Sequence, residues 1–142
     1  MNPRPDPQAL LRWSLRGNGI FSALCGLVFV GAAAPLAATL GVPDPRAWIA
    51  LGVGLLGFAG LLALLAARPK IPARAAWTVV ALDLAWIAGT VPLVAADVLT
   101  PTGELAALGV ADAVLVLALL QSLGIRRAHA NAAAVPEARP GR

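Results

Sequence analysis

The sequence predicts an all-α integral membrane protein, folded as an antiparallel bundle of four transmembrane helices. Apolar residues of the types AVILMFWYC make up 59% of the 142 residues, and only 13% are charged. Adding the 14 glycines raises the apolar share to roughly 69%, against about 45 to 50% in a soluble domain. The apolar residues also form four long runs separated by short turns. Lipid is therefore the expected solvent.

The chain divides into one membrane domain and two tails. Residues 1–8 contain three prolines and no apolar run, so they are predicted to be a flexible tail. Residues 9–127 form the predicted four-helix transmembrane domain. Residues 128–142 are rich in alanine, proline and arginine and are predicted to be disordered.

The first span is predicted over residues 17–40. Arg12, Trp13 and Arg16 precede it and place two cations and an aromatic ring at the level of the headgroups. Pro35 lies late in the run. It is expected to kink the helix or end it early, because proline removes a backbone hydrogen bond and crowds the preceding turn.

A cleaved signal peptide is an alternative for this first segment. Two arginines followed by the apolar run 20–34 also fit the pattern of such a peptide, with cleavage after the alanines at 32–34. Against this alternative, the apolar run continues past Pro35 to Leu40 and is longer than the usual hydrophobic region. Cleavage would leave the orientation of the other three spans unchanged, so topology does not decide between the two.

Three further spans are predicted over residues 47–67, 75–96 and 105–125. The second span contains no charged residue, the third contains Asp83, and the fourth contains Asp112. Every connection between spans contains proline, as expected of tight turns between antiparallel helices. These connections cover residues 41–46, 68–74 and 97–104.

Lysine and arginine are distributed unevenly between the two ends of the predicted bundle. Ten of the 11 flank the start of the first span, the turn between the second and third, and the end of the fourth. Arg46 alone lies on the opposite side. The positive-inside rule therefore predicts that both termini are cytoplasmic.

Two spans carry polar and small residues at helical spacing, which predicts that one face of each meets protein rather than lipid. These two faces are expected to meet each other. They consist of Asn18, Ser22, Cys25 and Gly26 in the first span, and of Asp83, Thr90 and Asp97 in the third.

Asp83 is the most informative residue of the predicted bundle. By helical rise it lies about 12 Å into the hydrocarbon, where an aspartate costs about 2.5 to 3.5 kcal/mol on insertion scales. No lysine or arginine lies deep in a span, so Arg16 is the nearest candidate counter-ion, with Asn18 and Ser22 as hydrogen-bond partners. Without that pairing, burial favours a neutral carboxyl group that donates a hydrogen bond between helices.

Asp112 is predicted to lie offset from Asp83 by about 8 Å along the membrane normal. In one interpretation the two acids, with Thr90 between their levels, form a proton or cation path. In a second interpretation both acids are neutral and form hydrogen bonds between helices. In a third, Asp112 lies near the membrane surface and is hydrated. Trp86, one turn after Asp83, is too deep for an aromatic belt and is expected to pack in the core or line a pocket beside the acid.

No metal, cofactor or nucleic-acid site is predicted. The single histidine, His129, follows the last span, and the single cysteine, Cys25, is expected to be a packing residue. The sequence contains no nucleophile motif and no phosphate-binding glycine loop. Its basic residues flank apolar runs and do not alternate with stacking aromatics, so nucleic acid is not an expected partner. An enzyme is not expected.

Three segments carry a resemblance to known sequences: LRGNGIFSAL at 15–24, VALDLAW at 80–86 and LQSLGIRR at 120–127. They resemble a family of small, uncharacterised four-span bacterial integral membrane proteins. The resemblance implies a four-helix architecture in the bacterial cytoplasmic (inner) membrane. It implies no activity and no site.

The sequence favours a structural or accessory interaction subunit of a membrane assembly. The expected partners are the lipid bilayer and either further copies of the chain or other membrane proteins. The alternative function is a small proton-linked transporter or channel that uses Asp83 and Asp112.

Overall fold

A computed structural model describes residues 6–133, which form five helices and, within that range, no strand. Four of the five are long and apolar enough to cross a membrane. The chain is therefore a multi-pass membrane protein, and the predicted all-α four-helix bundle is confirmed. The helices are α1 (Ala9–Gly31), α2 (Ala33–Leu40), α3 (Pro45–Ala66), α4 (Ala73–Ala95) and α5 (Pro101–Ala133).

The predicted first span, 17–40, is divided between two helices. The break lies at Ala32, where φ is −116° and ψ is 24°. Pro35 cannot donate to the carbonyl of Gly31, and its ring would crowd that carbonyl in a continuous helix. The prediction that Pro35 kinks the helix or ends it early is confirmed by this break, and α1 begins at Ala9, where the four-helix domain was predicted to begin.

The last helix is longer than predicted. With 33 residues it measures about 50 Å, which exceeds a hydrocarbon core of about 30 Å, so its final turns project beyond the membrane. The predicted disordered tail is therefore wrong for residues 128–133, and its remainder lies outside the described residues. Of the predicted flexible N-terminal tail, residues 6–8 form a hydrogen-bonded turn and the others lie outside the described range.

Helix α1 is the centre of the bundle, because it packs along both α3 and α5. Helix α4 packs along α5. Although α3 and α4 are consecutive, they make no extended packing contact within the described residues. The side of the bundle between α3 and α4 is therefore not closed by direct packing of these two helices.

The apolar core lies in the half of the bundle nearer the start of α1, which we call the basic half. The opposite half, with the α2–α3 and α4–α5 turns, is the distal half. The basic half is filled by close-packed leucine, isoleucine, valine and alanine side chains. They are Leu11, Leu15, Leu62, Leu65, Ala66, Ile71, Ala76, Val79, Val80, Ala118 and Ile125.

Helices α1 and α3 approach each other closely at two glycines. A Cβ atom built on Gly26 would lie 2.8 Å from the carbonyl oxygen of Gly52, and one on Gly52 would lie 2.7 Å from the carbonyl oxygen of Gly26. Only residues without a side chain allow two helix backbones to approach this closely, which is how helices gain contact in lipid. This crossing sets the rotation of α1 about its axis.

Arg12 closes the basic end of α3. Its guanidinium donates to the carbonyl oxygens of Ala66, of Arg68 at 2.7 Å and of Pro69 at 3.4 Å. The last carbonyls of a helix have no partner within the helix, so Arg12 supplies the missing donors. Asp6 holds the same guanidinium from the other side, with 3.2 Å between Asp6 Oδ2 and Arg12 Nε.

At the distal end, Gly41 ends α2 with a φ of +100°, a conformation that favours glycine. A side chain there would also collide with the Val98 carbonyl oxygen and the Thr100 amide, each 2.7 Å from an added Cβ. Thr100 donates its N–H to Leu40 at 3.2 Å and its hydroxyl to the Thr39 carbonyl at 2.7 Å. The end of α2 therefore lies directly on the start of α5.

Candidate intramembrane polar site

Asp83 is the centre of a buried polar cluster that joins three helices. Its side chain is 4% exposed and lies about 15 Å along α4 by helical rise. Asn18 of α1 donates to Asp83 Oδ2 at 2.8 Å, and Gln121 of α5 donates to the same oxygen at 3.2 Å. Ser22 donates to Asn18 Oδ1 at 3.3 Å. The predicted meeting of the polar faces of α1 and α4 is therefore observed at Asn18 and Asp83.

Gln121 is the member of this cluster that sequence reasoning missed. It is fully buried, and its Oε1 atom has no hydrogen-bond partner within the described residues. A usable signal was present in the sequence. Gln121 shares one helical face with Ala111, Val114, Ala118 and Ile125, all of which are buried.

Arg16 does not pair with Asp83, so that prediction is wrong. Its side chain is exposed, and its guanidinium lies 5.7 Å from the centre of the Trp13 ring. This position, near the start of α1, lets the charge extend toward the headgroups. Within residues 6–133 the ion pair that forms is Arg12 with Asp6, and Asp83 has no cation partner.

The structure does not bring Asp112 into the cluster. Asp112 is exposed on the outside of α5, and Asp97 lies beyond the end of α4 in an exposed turn. Thr90 is buried but donates to the Trp86 carbonyl at 3.0 Å within its own helix. Of the polar residues expected to act together, Asp83 therefore contacts Asn18 but not Asp112 or Thr90 through hydrogen bonds.

A cavity of about 320 Å³ lies beside the cluster. Its lining is mostly aliphatic and aromatic, and its polar side chains are those of Asp83, Asn18 and Ser22, together with the Cys25 thiol and the Trp86 indole. A second cavity of about 180 Å³ lies on the distal side. The residues that line both cavities are Phe29, Leu51, Trp86 and Val110.

Trp86 forms part of the wall between the two cavities. Its ring is half-buried, and its Nε1 donor is buried with no acceptor among the described residues. Of the two roles expected for this tryptophan, core packing or lining a pocket beside the acid, the structure shows the second. The sequence could not indicate that its N–H lacks an acceptor.

Within residues 6–133, no three side chains of the types His, Cys, Asp and Glu lie close enough together to hold a metal ion. The arrangement that is present is a hydrogen-bonded carboxyl group at the edge of an apolar cavity. Such a site can tie helices together, hold a proton, or bind a molecule with a polar group at one end.

No protein-family profile, curated protein or solved structure matches this chain. The resemblance of the three short segments to small four-span bacterial membrane proteins therefore stays a prediction.

Proposed function

We propose that this chain is a non-catalytic interaction subunit of a membrane assembly, and that it offers the outer face of α5 around Asp112 to its partner. The observation that carries the proposal is the position of Asp112. It is exposed on the outside of the bundle, about three turns or 16 Å after the start of α5. That is near the middle of a hydrocarbon core of about 30 Å.

Ionisable residues at this depth usually face the interior of a bundle or a water-filled cavity, where they find partners. An aspartate at the centre of a membrane helix costs about 2.5 to 3.5 kcal/mol on insertion scales. A second protein that covers Asp112 and hydrogen-bonds it would remove much of this cost. Assembly therefore accounts for a carboxyl group that the bundle itself leaves on its surface.

The surroundings of Asp112 suit a neighbouring helix. Leu108, Leu115 and Val116 are exposed on the same face. Gly109 is also exposed, and a Cβ atom added to it would meet no atom within 4 Å. Small residues beside a polar group allow close helix approach and hydrogen bonding in lipid. The occupant we propose is a transmembrane helix that presents a hydrogen-bond donor or a basic side chain to Asp112, from a second copy in the simplest case.

The test compares association in lipid nanodiscs and in mild detergent. Asp112→Leu removes the polar contact, Asp112→Asn keeps a hydrogen-bonding group, and Gly109→Leu adds bulk to the same face. Gly57→Leu is the control, because Gly57 is also exposed with no atom within 4 Å of an added Cβ, but lies on α3. Stoichiometry is counted by single-molecule photobleaching of a labelled chain, alone and in its native membrane extract.

If the proposal is correct, the variants Asp112→Leu and Gly109→Leu lose association. The variants Asp112→Asn and Gly57→Leu associate like the natural chain. If Asp112→Leu and Gly109→Leu lose association when the purified chain is studied alone, the partner is a second copy. Loss of association that is seen only in the native membrane extract shows that another component of that membrane is required. If all four variants associate like the natural chain in both settings, the α5 face is not an interface and the proposal fails.

We place the chain in the bacterial cytoplasmic membrane, with both termini in the cytoplasm. The basic end of the bundle gathers seven of the described cations, and Arg46 lies at the distal end. This asymmetry supports the orientation through the positive-inside rule. Reporter fusions at each terminus and in the α2–α3 turn test it. Termini that report from opposite compartments would exclude it.

Proton-linked transport is a second candidate. The observation that favours it is the position of Asp83, which lies beside an open cavity and has no cation partner among the described side chains. The close-packed basic half lies between Asp83 and the basic end, so transport would require those helices to separate. The test is Asp83→Asn in proteoliposomes under a pH gradient. Loss of a proton flux with unchanged insertion supports transport, and the absence of flux in the natural chain excludes it.

A further inference from the structure

We propose that the cavity beside Asp83 is a binding site for a neutral amphiphile from the membrane, a molecule with one apolar chain and one hydroxyl group. The site lies inside the bundle between α3 and α4, away from the outer face of α5. It therefore goes beyond the proposed assembly role and does not depend on it.

The cavity is large enough for such a molecule. Its volume of about 320 Å³ is about twice that of an apolar cavity that binds benzene, and equals about ten water-sized volumes. It also falls at the lower end of the range of about 300 to 1,000 Å³ for small-molecule sites. The adjoining cavity of about 180 Å³, behind Trp86, extends the space toward the distal end.

The cavity opens sideways toward lipid. Its lining residues on α1 and α5 are buried or half-buried, whereas several of those on α3 and α4 are exposed. These two helices make no extended packing contact, so the gap between them is the mouth. An apolar molecule can therefore enter from the bilayer without crossing water. The exposed residues of the mouth are Ala50, Leu51 and Gly54 of α3 and Leu82 of α4.

Two polar groups in the cavity wall, one donor and one acceptor, can each form a hydrogen bond with a hydroxyl group. Trp86 Nε1 is a buried donor with no acceptor in residues 6–133, which is costly in a medium that offers no water. Asp83 lines the cavity, and Oδ2 accepts both of its described hydrogen bonds. The other carboxylate oxygen, Oδ1, is therefore available to a ligand. Asp83 and Trp86 are three residues apart, so they are neighbours on one face of α4. In the proposed complex the indole ring turns, so that the hydroxyl group accepts from Trp86 Nε1 while it donates to the carboxylate oxygen.

The charges of the lining favour a neutral ligand. Within the described part of the chain, Asp83 is the only charged residue that lines the cavity, so an anionic headgroup would meet a carboxyl group and no compensating cation there. A plain alkane would leave the Trp86 donor unpaired. The remaining walls include Phe21, Phe29 and Phe58, which suit an apolar body.

The experiment uses photolabelling of the full chain in phosphatidylcholine nanodiscs. The probe is a medium-chain alcohol that carries an aliphatic diazirine, and labelled residues are identified by mass spectrometry. We expect labels on Phe21, Cys25 and Phe58, and competition by 1-decanol. One hydrogen bond should make decanol about tenfold more effective than decane as a competitor.

Two matched substitutions locate the site. Gly54→Leu places a side chain in the mouth, and Gly57→Leu places the same side chain one turn away on α3, outside both cavities; neither added Cβ meets an atom within 4 Å. Gly54→Leu should abolish the labels inside the cavity, and Gly57→Leu should keep them. Trp86→Phe keeps the ring but removes the donor, so it should reduce the advantage of decanol over decane.

Three outcomes of these experiments would contradict the inference. Labels spread evenly over lipid-facing residues, and equal in the Gly54→Leu and Gly57→Leu chains, would mean that the cavity holds no ligand. Equal competition by decane and decanol would exclude the hydroxyl group. Stronger competition by decanoate than by decanol would show that the site takes an anion. Circular dichroism and elution volume confirm that each variant is folded.

Discussion

Asn18 of α1 donates a hydrogen bond of 2.8 Å to Asp83 of α4, a residue 65 positions away in the chain. Between Asp6 and Ala133 these two helices make no extended packing contact, so this bond is a specific link between them. Gln121 of α5 donates to the same carboxylate oxygen at 3.2 Å. One oxygen atom therefore joins three helices, and the consequences for stability can be measured separately from any function.

Asp83→Asn should cost less stability than Asp83→Leu. An asparagine oxygen can still accept from Asn18 and Gln121, whereas leucine leaves both amides buried and unpaired. The leucine variant should lose about 1 to 3 kcal/mol relative to the asparagine variant. Steric trapping in bicelles measures the free energy of unfolding. Equal stability of the two variants would mean that the hydrogen bonds to Asp83 contribute nothing to holding the bundle together.

Gly26→Ala should destabilise the bundle, because its new methyl group would lie 2.8 Å from the Gly52 carbonyl oxygen and 2.9 Å from Leu56 Cγ. Overpacking of this kind costs about 1 to 3 kcal/mol. Gly31→Ala is the matched control in the same helix, since an added Cβ there meets no atom within 4 Å. The same unfolding assay should show little change for Gly31→Ala. Alanine favours a helix more than glycine does, so propensity alone would stabilise both variants. A loss of equal size in both variants would therefore contradict a specific role for the crossing.

Arg12→Met should loosen the end of α3, because the variant keeps an apolar stem but loses the donors to the carbonyls of Ala66, Arg68 and Pro69. We expect hydrogen–deuterium exchange to increase about tenfold or more over residues 66–72, as the loss of a charge-assisted hydrogen bond implies. Arg16→Met is the control, because Arg16 is exposed and lies over the Trp13 ring. Unchanged hydrogen–deuterium exchange in the Arg12→Met chain would contradict the stabilising role of Arg12 at the end of α3.

Asp6 should show an acid-dependent contribution to the N-terminal turn. The backbone N–H of Gln8 and the Arg12 guanidinium lower the pKa of the Asp6 carboxyl below its usual value, despite an opposing desolvation effect. A lowered pKa means that the carboxylate stabilises the folded turn above the unfolded pKa of about 3.9 and that this contribution is lost as the pH falls through the folded pKa. The Gln8 amide signal in an NMR titration should follow this change.

Two variants assign the causes of that shift. Arg12→Met should raise the Asp6 pKa only in part, because the hydrogen bond from Gln8, which is the largest single cause of the lowered pKa, remains. Asp6→Asn should remove the acid-dependent change in the Gln8 signal altogether. A Gln8 signal that still titrates in the Asp6→Asn chain would assign the effect to a different group.

Several features follow from local sequence. Runs of about 20 apolar residues require helices in lipid, because a lipid-exposed backbone must satisfy its own hydrogen bonds. Pro35 marked the break after α1, and the spacing of Asn18, Ser22 and Gly26 predicted a buried face. The extension of α5 to Ala133 was missed, because an alanine-rich segment that also contains proline and arginine fits both a helix and a disordered tail.

The sequence by itself indicated how far residues lie from one another along a helix and which residues share a helical face, because both depend on helical rise and period. Only the tertiary structure decided which face of one helix meets which face of another. The close crossing at Gly26 and Gly52 sets the rotation of α1 against α3, and the packing of α1 and α4 on α5 sets that of α5. For that reason Gln121 lies beside Asp83 while Asp112 lies outside, although both are polar residues of one apolar helix. Contacts between distant segments depend on the fit of whole surfaces, which no local pattern contains.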